Sequence, residues 1–121
     1  MGKTSQRVLG RAMRHRRLRK KIVGLPERPR LCVFRSHAHF YAQLIDDVAG
    51  RTLHGWSTKD ERLKHLKQGG TTTAAKELGA LVATDSATHG ITQVVFDRAG
   101  YVYHGRVKAF TEALRAGGLQ V

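Results

Sequence analysis

A chain of 121 residues amounts to one domain, able to bury a core of modest size. Its formal net charge is +13, and residues 1–30 hold half of the 22 Lys/Arg with Glu27 as their only acid, so a basic arm precedes a nearly balanced body. That asymmetry calls for a polyanionic partner, while one cysteine and no apolar run near the roughly 18 residues of a membrane span exclude a disulfide scaffold and a spanning protein.

Met1–Ser5 lacks the apolar centre of a secretory signal, so a cytoplasmic, reducing setting is expected. Gln6–Val23 carries seven Lys/Arg within residues 11–21, with Leu18 and Ile22 spaced for one helix face. The pattern predicts a helix that forms or firms up on phosphates. Gly24–Arg30 contains Pro26 and Pro29 and reads as a stiff extended hinge, dividing an arm (1–25) from a globular part (26–121).

Three strands follow. Leu31–Arg35 leads through a turn at Ser36–His39 into Phe40–Ile45, and Asp46–Gly50 is a hairpin loop before Arg51–Ser57. Cys32 lies in an apolar run and is expected to be a buried structural thiol. Trp56 is expected in the core. Thr58–Gly70 is polar and mixed in charge, a surface loop with a helical turn. Thr71–His89 sets Ala74, Ala75, Leu78, Leu81 and Val82 on one stripe, with threonines to cap its start and Gly90 to end it. Val94–Phe96 is a short apolar strand, expected to lie inside the sheet rather than at its edge. A last helix over Gly105–Ala116 buries Val107, Phe110 and Leu114, and Leu119–Val121 adds strand-like residues. A β-meander followed by α-β-α makes one α/β domain with a single sheet for its helices to cover.

The most informative stretch is Val94–Lys108, a strand-to-helix connection with two tyrosines, one histidine and two arginines. Gly105 opens the helix, and Arg106 and Lys108 add full charge to its partly positive end, an arrangement suited to phosphate. Tyr101 and Tyr103, two apart, share a face in an extended segment and are expected to stack on bases or sugars. Asp97 is expected either to orient Arg98 or to hold the loop through backbone N–H groups.

An enzyme is not expected. Two-metal chemistry needs carboxylates converging on ions about 4 Å apart. Asp46, Asp47, Glu77 and Asp97 fall on different elements, with nothing in the sequence to bring them together. The seven histidines are scattered and zinc spacings are absent, so no metal, cofactor or small-molecule substrate is expected.

Four stretches resemble one family. They are Arg14–Lys21; Glu27–Leu31 continued by Val33–Ser36; His39 with Tyr41–Gln43 and Asp46-Asp47; and Val94–Arg98 continued by Gly100-Tyr101, Tyr103–Lys108 and Gly117–Leu119. In this the chain resembles the large-subunit ribosomal protein family that binds 5S rRNA, the eighteenth of the bacterial set. The resemblance implies a ribonuclease-H-like three-layer sandwich. It also implies a structural role attaching 5S rRNA to the large-subunit rRNA in the central protuberance, beside neighbouring ribosomal proteins. It departs from the family at Ala99, where a second glycine is usual, and at His37-Ala38, where Asn-Lys is usual. Resemblance and chemistry together give an expected RNA-contact set. In the arm it holds Arg14, His15, Arg16, Arg17, Arg19, Lys20 and Lys21. In the hinge and first strands it holds Arg28, Arg30, Arg35, Ser36, His37, His39 and Tyr41. In the last connection it holds Arg98, Tyr101, Tyr103, His104, Gly105, Arg106 and Lys108. The alternative is a general basic nucleic-acid binder, which needs the arm alone.

Overall fold

The computed structural model describes residues 10–14, 16, 22–36, 38–66, 69–99, 101 and 105–121. Alternating apolar residues build β1 (Arg30–Arg35), β2 (Phe40–Asp46) and β3 (Arg51–Ser57). A 3-10 turn (Glu61–Leu63), α1 (Thr72–Thr88), β4 (Val95–Asp97) and α2 (Arg106–Ala116) follow, and residues 10–14 and 16 are helical. The sheet runs β3-β2-β1-β4, antiparallel except where β4 lies parallel to β1. It is an α/β fold, a mixed four-stranded sheet with helices, consistent with the three-layer sandwich.

Register decides which face is which. Leu31 opposite Leu44 and Val33 opposite Ala42 put their side chains on one face, all fully buried. α1 and α2 cover that face, with Phe110 of α2 5.3 Å from the Phe40 ring and 6.2 Å from Phe96. The helices approach closely at Gly79, where a Cβ would sit 2.6 Å from the Phe110 carbonyl oxygen. The opposite face carries Cys32, Phe34, Tyr41 and Gln43 and stays half-open. Cys32 is therefore half-buried rather than enclosed.

The ends of α1 follow its sequence. The Thr71 hydroxyl accepts from the Ala74 N–H at 3.1 Å, and Gly90 leaves the helix at φ +75°.

Two further expectations need correction. Val94–Phe96 was expected inside the sheet, but β4 is an edge strand that pairs with β1 alone over three residues. Its apolar character serves the helix layer, since Val94 is fully buried, and the chain's end shields part of the edge. There the Val94 N–H donates to the Gln120 carbonyl and the Gln120 N–H to that of Thr92. The hinge at Gly24–Arg30 is not extended throughout. Leu25 and Arg28 exchange two backbone hydrogen bonds around Pro26-Glu27, making a tight turn, and Arg30 already belongs to β1.

The stretch after β3 is the expected surface loop with a helical turn, the 3-10 turn at Glu61–Leu63, and it is pinned to the body as well. Leu63 is buried, and Arg62 bonds both Asp60 and Asp85 while Asp85 also accepts from the buried Trp56 indole at 2.9 Å. The bonds from Arg62 hold the Asp85 carboxyl below its usual range.

Ala99, where the resemblance has glycine, adopts φ +55°. An L side chain there costs about 1 kcal/mol or more. Ala99→Gly is expected to raise stability by about 0.5–1 kcal/mol, seen as a higher urea midpoint at unchanged slope.

Candidate nucleic-acid interface

The interface is anchored by a buried ion cluster. Arg30 opens β1 and is 9% exposed. Its Nε and Nη2 donate to the two Asp47 oxygens at 3.0 and 3.1 Å, and Nη1 donates to Asp97 Oδ2 at 2.8 Å. Burial alone lowers such a pKa, but the bonds to Asp47 and Asp97 outweigh it and hold Arg30 above its ordinary value. Arg30 was expected on RNA. It faces inward, because two carboxylates claim all of its nitrogens.

The cluster sets the geometry around it. Asp47 Oδ2 also accepts the Gly24 N–H at 2.6 Å, and the Asp47 N–H returns to the Gly24 carbonyl at 3.0 Å, fixing the base of the arm. A side chain at Gly24 would strike the Ile45 carbonyl and the Arg30 backbone nitrogen. Asp97, fully buried, accepts the Ala99 N–H at 2.8 Å and so shapes the start of the loop. Of the two roles expected for Asp97, this is the backbone one. Asp47 and Asp97 thus converge, which the sequence did not suggest, but on a guanidinium. Asp46 accepts the Val48 and Ala49 N–H groups, and Glu77 is exposed on α1. Among the described residues no three metal-ligating side chains come together.

Tyr101 gathers the other parts. Its hydroxyl accepts from the Arg35 backbone N–H and from Arg11 Nη1, each at 3.2 Å. The Arg11 and Arg35 guanidiniums lie 4.8 and 5.4 Å from its ring centroid. Tyr101 was expected to stack on a base. Its ring is taken by cations, so it ties the arm helix to the end of β1 instead.

The other expected contact residues differ in what they already bond. Arg98 is half-buried with its Nε enclosed and without a hydrogen-bond partner among the described residues, an atom that asks for an acceptor. Arg28, Ser36, Gly105 and Lys108 are exposed, and Lys108 meets Glu112 only at 4.0 Å. Gly105 heads α2 at φ +54° with no side-chain cap bond to the first N–H groups of the helix. Arg106 Nη1 donates to the Gly70 carbonyl at 2.7 Å, which makes it partly a brace for the connection before α1. His39 bonds Thr58 Oγ1 through Nδ1 at 2.9 Å, leaving Nε2 for a partner. Arg16 is exposed and Arg14 half-buried in the arm helix. His15, Arg17, Arg19, Lys20, Lys21, His37, Tyr103 and His104 lie outside the described residues.

Three residues were missed. Arg11 was passed over because its tie to Tyr101 spans 90 positions. Phe34 stacks on Tyr41 at 4.9 Å with planes 7° apart, and the Lys59 ammonium stands 5.9 Å from the Tyr41 centroid. The alternation held the signal for Phe34. Once Leu31 and Val33 face the core, Phe34 must point to the other side.

The chain matches, over residues 5–121, the family described as ribosomal L18 of archaea, bacteria, mitochondria and chloroplasts. It is 50% identical over 119 residues to the large ribosomal subunit protein uL18 of Desulfotalea psychrophila, covering 98% of each chain. It is 54% identical over 111 residues to that of Thermotoga petrophila (91% of each) and 57% identical over 110 residues to that of a Synechococcus species (88% of this chain, 90% of the other). With a basic arm tied to a cation-rich strand-to-helix loop, and a match across nearly its whole length, the chain belongs to the ribosomal L18 family.

Proposed function

We propose that this protein binds 5S rRNA and attaches it to the large-subunit rRNA in the central protuberance. Membership of the family makes it a structural, non-enzymatic constituent of the large ribosomal subunit, in the company of rRNA and other ribosomal proteins. The observation that carries the finer reading is the junction at Tyr101. It sets the arm helix, the end of β1 and the loop before α2 side by side, so that Arg11 and Arg35 meet on one ring. A surface of that shape reads folded RNA through backbone and form, and the arm adds phosphate neutralisation.

Replacing Arg16, Arg17, Arg19, Lys20 and Lys21 by glutamine leaves Arg11 on Tyr101 and tests this division of labour. The log-log salt dependence of 5S rRNA binding is expected to flatten by several units, at about 0.9 per lost phosphate contact. Preference for 5S rRNA over transfer RNA should survive. A general basic binder would lose binding to both RNAs alike.

A further inference from the structure

We propose that the sheet face turned away from the helices is a stacking platform for one unpaired RNA base, with Phe34 and Tyr41 as its aromatic floor. This deepens the RNA-binding reading and rests on it.

Phe34 and Tyr41 are direct cross-strand partners whose rings stack, and Phe34 remains 38% exposed. Beside them lies a shallow concavity of about 400 Å³, bounded also by Gln43, Gly55, Ser57 and Lys59. Tyr101, whose ring is already occupied by guanidiniums, does not offer such a surface. Phe34 and Tyr41 do.

Gly55 supplies a second observation. It sits within β3 opposite Gln43, on the open face. It needs no left-handed backbone, and a Cβ there would meet nothing nearer than the Ala42 carbonyl at 4.0 Å. Glycine inside a strand costs stability without packing anything, and it marks places where a ligand comes close. The β-bulge of this strand lies at Thr52–His54, and Gly55 itself pairs in regular register with Gln43, so bulge, conformation and packing leave Gly55 unaccounted for. Clearance over the platform accounts for it.

The surroundings favour a base over a protein side chain. The Lys59 ammonium stands by the Tyr41 ring and is placed for a phosphate, and Gln43 offers both a donor and an acceptor to a base edge. The one acid on the rim, Asp60, is bonded by Arg62 and so is neutralised locally. The apolar area is a single ring pair, whereas a stable protein interface needs about 800 Å² per partner. Val23, Leu25 and Val48, other exposed apolar residues, lie outside the concavity.

The test uses full-length protein with two probes, 5S rRNA and unstructured oligouridylate, and three variants. Phe34→Ala is expected to weaken binding about 5- to 100-fold with no change in salt slope, because stacking and not charge is lost. Phe34→Trp should restore it. Gly55→Val should be folded and at least as stable as the parent, yet bind at least 5-fold more weakly. Ultraviolet cross-linking followed by mass spectrometry should find a base adduct on Phe34 or Tyr41. If 5S rRNA is not preferred but the variants and adducts behave this way on oligouridylate, the platform stands and the 5S reading falls. Changes under 2-fold for both Phe34→Ala and Gly55→Val on both probes, with adducts elsewhere, would overturn the platform. A Gly55→Val protein that binds RNA normally but fails to bind a ribosomal protein would give the face to a protein instead.

Discussion

Replacing Arg30 by methionine is expected to destabilise the fold by about 3–5 kcal/mol, although only one side chain of similar length changes. Its guanidinium is the shared partner of Asp47 and Asp97, and Asp97 is wholly buried. Without it, Asp97 loses the 2.8 Å bond at Oδ2 and Asp47 loses two bonds, while the Ala99 and Gly24 N–H groups stay in place. Removing one partner of a buried pair takes away what offsets the desolvation of the other, and two carboxylates lose a cation here. Urea unfolding measures the loss. Pairing Arg30→Met with Asp97→Asn should recover part of it, because the second change removes a buried charge that has lost its Arg30 bond. Strictly additive losses would mean that the ions do not act together.

Phe110→Ala is expected to cost a similar amount, about 3–5 kcal/mol. Phe110 is fully buried between Phe40 and Phe96, and its own backbone lies against Gly79 where the helices are closest. A cavity at that point is slow to collapse, because the Gly79 contact already sets the two backbones near their limit of approach. Phe110→Leu keeps most of the volume and should cost clearly less. Equal losses for the two would show that ring geometry, rather than filled volume, holds the layers together.

How much of this was legible in the sequence differs by type of interaction. Alternation placed the first three strands and the helix stripe placed α1, because burial on one face repeats at a fixed local period. β4 defeated that reasoning. A run of three apolar residues looks the same whether strands flank it on both sides or a helix layer covers one face, and only the sheet order decides. The stretch after β3 is the exposed loop with a helical turn that its polar residues suggest, but local composition could not show that Arg62 reaches Asp85, 23 positions on.

At the interface the limit was sign without direction. The sequence shows that Arg30, Arg98 and Arg106 are cations, but not that Arg30 turns inward to carboxylates 17 and 67 positions away. Nor does it show that Arg106 braces Gly70 or that Arg98 keeps an enclosed nitrogen unbonded. Tyr101 was singled out as a stacking residue, and the cations on its ring make it a junction instead.

The measurement closest to the central claim is competition binding by the full-length protein. Labelled 5S rRNA is held against unlabelled 5S rRNA, transfer RNA and random RNA at about 150 mM salt, where charge-only binding is largely suppressed. Competition by 5S rRNA alone is the predicted result, since the shaped surface around Tyr101, and not net charge, selects the partner. Equal competition by all three would contradict it, and would reduce the protein's RNA binding to its basic arm.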